Sequence, residues 1–194
     1  MKWIAVSKAF GLSSIRSEEA IAADDPEEGG TPLFSRIYPR PLGPEQVYES
    51  IRIAIRSVSN QPIGSSVGST HRRQWVEQFV RSYGTDENDE LLAFEGNIAQ
   101  ALLMMNGEDL QQAIPLAAAE ATSAGRAGVP GPTETLERIA LATLNRAPNA
   151  VEEKAFQNRL RALRRTEPAD TAIRTATEDM LWAYLNSSEF VSVN

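Results

Sequence analysis

The run 133-TETLERIALATLNRAPNAVEEKAFQNRLRALRRTEPADTAIRTATEDMLWAYL-185 decides the fold. Three amphipathic segments follow one another in it, separated by prolines and by no strand signal. Leu136, Ile139, Ala140, Thr143 and Leu144 recur at helical spacing, with Thr133 as the expected cap, and Pro148-Asn149 breaks the pattern. Asn149 followed three residues later by Glu152 matches a capping box, read broadly. The helix it opens should bury Phe156, Leu160 and Leu163 and expose Arg161, Arg164 and Arg165. Pro168 opens the next helix, which ends in the nearly continuous apolar block Met180-Leu181-Trp182-Ala183-Tyr184-Leu185.

Upstream the same logic continues. The alanine-rich stretch 107–123 predicts a short helix before a loop from Gly125 to Pro132. Pro44 suits a first helical residue after Gly43, and Val47, Ile51, Ala54, Ile55 and Val58 form one face. Ser69 or Thr70 can cap a helix striped by Trp75, Val76, Phe79, Val80 and Tyr83, which Gly84 ends. Ile98, Ala101, Leu102 and Met105 mark another, apolar nearly all round through Leu103 and Met104. Residues 1–10 read as a short helix, while 11–43 lose periodicity and read as a long surface loop tacked down by Leu33, Phe34, Ile37 and Tyr38. No alternating pattern and no internal repeat occurs. The expected class is all-α: an irregular bundle of about seven helices over 44–194, preceded by a short helix and extended loop over 1–43, one domain in all.

Composition removes whole classes of chemistry. The 194 residues include no cysteine, which excludes disulfides, thiolate catalysis, iron–sulfur clusters and thioether-linked haem. Nineteen basic and 26 acidic residues give a net charge of −7. Residues 1–132 carry 11 basic and 17 acidic groups, and 133–194 carry 8 and 9. An acidic surface argues against nucleic acid as a partner, because phosphate neutralisation needs clustered Lys and Arg. No apolar run approaches the roughly 18 residues of a membrane-spanning helix. Met1-Lys2-Trp3-Ile4-Ala5-Val6 has too short an apolar stretch for a secretory leader.

Among candidate sites the acidic turn Asp86-Glu87-Asn88-Asp89-Glu90 stands first. Asp86, Glu87, Asp89 and Glu90 could offer hard oxygen ligands to a cation such as calcium. With Asp86 as position one of a calcium loop, Leu91 falls where glycine belongs and Asn97 where a bidentate glutamate belongs. The alternative is a solvated turn whose acids cap the next helix or pair with Arg72, Arg73 or Arg81. His71, the sole histidine, has Arg72 and Arg73 beside it to oppose its protonation, and no Gly-x-Ser-x-Gly turn displays a nucleophile. Leu102-Leu103-Met104-Met105 reads as core packing ahead of an apolar ligand pocket. Arg159, Arg161, Arg164 and Arg165, with Lys154, make a basic helix face that either serves solubility or docks onto an acidic partner or another copy. No catalytic residue is assigned.

Several stretches in order resemble the C-terminal part of large planctomycete-type proteins of unknown function that are often associated with cytochrome c domains. They run from Lys2-Trp3-Ile4-Ala5-Val6-Ser7 through Gly29-Gly30-Thr31-Pro32-Leu33-Phe34, Tyr38-Pro39-Arg40-Pro41-Leu42 and Arg73-Gln74-Trp75-Val76-Glu77-Gln78-Phe79. Gln100-Ala101-Leu102-Leu103-Met104-Met105-Asn106-Gly107 and the closing Leu181-Trp182-Ala183-Tyr184-Leu185-Asn186-Ser187-Ser188-Glu189-Phe190 complete the series. The resemblance implies a helical region of a longer protein, exported in such relatives, with Phe190 packed back on the bundle. It implies no catalytic residues. The expected role is a non-catalytic structural or protein-interaction module, possessing a protein partner or forming a homo-oligomer and needing no cofactor. The alternative is a calcium-type binding domain or hydrolase centred on residues 86–90.

Overall fold

A computed structural model describes residues 40–59, Glu77, 108–123 and 130–193. The described part is helical: α1 Pro44–Ser59, α2 Glu108–Thr122, α3 Pro132–Leu144, α4 Ala150–Leu163 and α5 Ala169–Leu185. Two residue pairs add a minimal antiparallel ladder, β1 Arg40–Pro41 with β2 Ser192–Val193, in the register Arg40 to Val193 and Pro41 to Ser192. A two-residue pairing is too short to leave an alternating pattern, so none could be read from the sequence. The expected helices over 1–10 and 98–105, that over 69–84 apart from the helical residue Glu77, and most of the expected loop over 11–43, lie outside the described residues.

α5 is the hub, packing on α2, α3 and α4, while α1 lies against α2 and α3. The α2–α5 pair is the most extensive. Alanine makes this close approach feasible: Ala117, Ala118 and Ala121 on α2 and Ala172 and Ala176 on α5 are all fully buried. Small side chains let backbones come together with little rotamer entropy lost. Bulk is supplied elsewhere in the same core, by Val47, Ile51 and Val58 of α1, Leu136 and Ile139 of α3, Phe156 and Leu160 of α4, and Leu181 and Leu185 of α5. Thr135 is an exception to polar satisfaction, since its fully buried hydroxyl has no hydrogen-bond partner among the described residues.

Helix boundaries follow capping chemistry. α1 starts at Pro44, and the Gly43 amide donates to Gln46 Oε1 at 2.9 Å, satisfying an end donor. α3 begins two residues earlier than a cap at Thr133 would place it. Gly131 is the cap residue, extended at φ −70° and ψ 163°, and Pro132 fills the first turn. A proline there is already set near helical φ and has no amide to satisfy, so Thr133 becomes an exposed first-turn residue. α3 ends at Asn145, which takes the left-handed conformation at φ 54° that asparagine tolerates. Arg138 Nη2 then reaches 2.6 Å to the Val58 carbonyl, placing a cation at the C-terminal end of α1 and tying α3 to it.

α4 carries the capping box in full. Asn149 Oδ1 accepts from the amides of Val151 at 2.9 Å and Glu152 at 3.0 Å, and Glu152 Oε2 accepts from the Asn149 amide at 2.9 Å. Asn149→Ala should lower stability by about 1 kcal/mol, measured by urea denaturation. A variant as stable as the parent would show that the cap contributes nothing in this context. α5 opens after Pro168, whose carbonyl accepts from the Ala172 amide at 2.8 Å. Its closing block is not buried all round: Leu181, Tyr184 and Leu185 are inside, but Trp182 and Ala183 face outward.

Candidate functional site

Beyond α5 the chain turns back on the bundle, and Phe190 inserts into the core at 7 % exposure. The Leu42 amide donates to the Val191 carbonyl at 2.8 Å, extending the ladder between the two ends of the described bundle. Glu189, just before Phe190, enters the densest polar cluster among the described residues. Its centre is Arg146, in the α3–α4 turn.

Every N–H of the Arg146 guanidinium is used. Nε donates to Glu189 Oε1 at 2.7 Å, and Nη2 donates to Glu189 Oε2 at 2.8 Å and Glu152 Oε1 at 2.7 Å. Nη1 donates to Glu152 Oε2 at 3.0 Å and to the Ala147 carbonyl at 3.0 Å. The planar fork thus holds two carboxylates bidentately, a geometry lysine cannot reproduce. Glu152 Oε2 also accepts from Tyr184 Oη at 3.3 Å, joining α5 to the cluster. Three segments converge: the α3–α4 turn, the first turn of α4 and the return segment after α5.

The electrostatics follow from these bonds. Hydrogen bonding from Arg146 first, and from the Asn149 amide further, holds the Glu152 carboxyl below its ordinary range, against the opposing effect of burial. The Glu189 and Glu152 carboxylates hold the Arg146 guanidinium more firmly charged than it is in water. Burial, and then the nearby Glu152 charge, pushes the Tyr184 hydroxyl up, so it stays a neutral donor. The site therefore sets two carboxylates around one cation, with all five guanidinium N–H groups donated. Such a cluster clasps segments together. It offers neither a general base nor an anion-binding donor.

Next to the clasp lies an open cleft of about 410 Å³ bounded by Leu42, Ile53, Thr143, Asn145, Glu189 and Phe190. A second, shallower depression of about 380 Å³ is formed by Arg159, Asp179, Trp182 and Ala183. There Arg159 Nε donates to Asp179 Oδ2 at 2.6 Å, with both partners about half exposed. Elsewhere on α5, burial pushes the Glu178 carboxyl up, and Arg174 opposes this from 3.8 Å.

The residues singled out from the sequence fare differently. Asp86, Glu87, Asp89 and Glu90, His71 and the Leu102–Met105 block lie outside the described residues. Among the described residues no group of three or more His, Asp or Glu side chains is gathered as a metal site would require. The basic group is on α4 and in the turn that follows it. Lys154, Arg161, Arg164 and Arg165 are exposed there, while Arg159 is engaged with Asp179. The Arg146 clasp escaped sequence reading. Only the closeness of Arg146 to Glu152, six residues on, hinted at it, and Glu189 is 43 residues away.

Comparison of the chain with protein-family models, with curated proteins and with solved structures yields no match. No helix of the described residues is long and apolar enough to cross a membrane.

Proposed function

We propose that the chain is a non-catalytic structural or protein-interaction helical module, an accessory region of a larger bacterial protein of the planctomycete type that its sequence resembles. The observation that carries this reading is the distribution of large apolar side chains. Outside the described core Ile53, Leu116, Leu141, Val151 and Trp182 lie on the surface, one on each helix, Val151 at 77 % exposure and Trp182 at 37 %. Exposed apolar side chains favour association where a partner gathers them under one contact. The Arg146 clasp supports the same view, because its charges are spent on holding the chain's own segments together.

The test is sedimentation of the full chain from low to high concentration, with binding of an apolar dye measured in parallel. Self-association or dye binding is the expected result. A strictly monomeric species at high concentration that binds no dye overturns the module reading. The competing proposal places a calcium-type binding or hydrolytic site on Asp86, Glu87, Asp89 and Glu90, motivated by four carboxylates within five residues. Calcium that binds only the native state must raise the melting temperature. A thermal midpoint unchanged across a calcium titration would leave the acidic turn without that role.

A further inference from the structure

The outward side of α4 is organised into two adjacent rows. Val151, Ala155, Arg159 and Ala162 succeed one another at i, i+4, i+8 and i+11, a helical ridge in which every residue is exposed. Beside it Lys154, Asn158 and Arg161 form the next ridge at i, i+4 and i+7, continued by Arg165 in the turn after the helix, again all exposed. Both rows lie across the helix from the buried Phe156, Leu160 and Leu163. Trp182 of α5 borders the first row, since it shares the depression with Arg159. The face is therefore a short strip of Val151, Ala155 and Ala162, interrupted by the Arg159–Asp179 ion pair, with one indole beside it and a row of unpaired cations along one side.

The cations are available. Lys154, Arg161 and Arg165 make no ion pair among the described residues, although Glu153, Glu167 and Asp170 are near in sequence. Arg159, by contrast, is already neutralised by Asp179. From Lys154 to Arg161 the row runs about 10 Å along the helix, two turns, with Arg165 in the turn beyond, so a partner helix can align carboxylates with it over its own length. The small side chains of the neighbouring strip let a helix come close, and the apolar contact gives such an association more than screened charge attraction.

We infer that this face of α4 and α5 docks an acidic amphipathic helix of a partner protein, whose apolar side covers Val151, Ala155 and Trp182 and whose carboxylates meet Lys154, Arg161 and Arg165. The inference rests on the module reading above and names its surface and its partner class. Charge complementarity selects the occupant. The unpaired cations lie in a single row along one helix, which matches the linear carboxylate row of a helical partner better than the two-dimensional charge of an anionic membrane. Screening over about 8 Å limits the contribution of more distant charges, so Lys154, Arg161 and Arg165 are the cations such a helix would meet. An isologous contact between two copies would oppose one cationic row to another, which is repulsive.

The experiment uses the full chain and a dye-labelled synthetic helical peptide with leucine on one side and glutamate on the other, followed by fluorescence anisotropy. Its counterpart with lysine for glutamate and vesicles of phosphatidylglycerol serve as the comparison probes. The acidic peptide is expected to bind and the lysine peptide to fail. Arg161→Glu with Arg165→Glu should weaken binding about tenfold or more, and Trp182→Ala several-fold, while Arg174→Glu on another part of α5 should leave it unchanged. Circular dichroism establishes that each variant is folded. Absence of peptide binding, or binding indifferent to the α4 substitutions, overturns the proposal. Vesicle binding lost in those variants assigns the face to lipid, and self-association lost in them assigns it to a second copy; either result also overturns it. If the chain self-associates or binds apolar dye while ignoring the peptide, the module reading stands and only this surface assignment fails.

Discussion

Phe156→Ala is expected to destabilise the bundle by about 4 kcal/mol, the largest effect of any single truncation in the described core. Phe156 is the largest of the fully buried side chains, with no exposed surface. It sits at the middle of α4, a helix that packs on α5 and α3. Removing the ring discards its transfer free energy and leaves a void that rigid neighbours fill only in part. Against a typical net stability of about 5–15 kcal/mol, that is about a quarter or more of the total. For a chain of this length the midpoint of thermal unfolding should fall by roughly 10 °C. Phe156→Leu keeps most of the volume and should cost less than half as much. Val151→Ala, on the exposed side of the same helix, should fall within about 0.5 kcal/mol of the parent. Urea denaturation of the three variants is the measurement. A Phe156→Ala loss below about 1 kcal/mol would mean that α4 does not carry its apolar face into this core.

How far the fold was legible depended on which physical signal each element leaves behind. α1 could be read whole, because the stripe Val47, Ile51, Ala54, Ile55 and Val58 is periodic and all five are buried. The α4 start could be read because a capping box is local: Asn149 and Glu152 are three residues apart and bond to each other's backbone. α3 was misjudged at its first turn for the same reason of locality, since Gly131-Pro132 competes with Thr133 for the start and the proline wins on conformational grounds. The end of α5 could be placed but its inner face could not. Met180 to Leu185 is so uniformly apolar that no face is marked, and only the placement of α2, α3 and α4 around it leaves Trp182 and Ala183 outside.

The candidate site was less legible than the fold. The basic residues of α4 were identifiable by type and spacing, because an exposed helix row is a local property. That Arg159 is taken by Asp179, and the others are not, depends on how α5 lies against α4. Arg146 and Glu189 are an extreme case. Periodicity assigns each to a polar turn, and charge patterning pairs residues three or four apart, so a contact across 43 positions leaves no signal. The return of the chain after α5 brings them together, and Phe190 entering the core is what holds that return in place.

Arg146→Ala should therefore cost about 2 kcal/mol, and its cost should depend on pH in a defined direction. The substitution removes five donated bonds and leaves Glu152 and Glu189 facing each other without the cation between them. Bonds to charged groups contribute more than neutral ones, but Arg146 and Glu189 are each about a third exposed, so solvent screening keeps the loss modest. Arg146→Lys should recover only part of it, since an ammonium cannot span both carboxylates bidentately. The sign follows from Glu152, whose carboxyl is held below its ordinary value in the folded protein. The native state thus binds that proton more weakly than the unfolded chain does, and the clasp adds stability above the unfolded value of about 4.3. As pH falls through the lower folded value, Glu152 protonates and that contribution is lost. The gap between parent and Arg146→Ala should be full at pH 7 and shrink steadily on acidification below about pH 4, leaving only the packing contributed by the arginine stem. Urea denaturation at a series of pH values measures it, with Glu189→Gln and the double variant closing a cycle that should show coupling with Arg146. A gap that stays constant from pH 7 into the acid range would refute an ionic clasp and make Arg146 a packing residue alone.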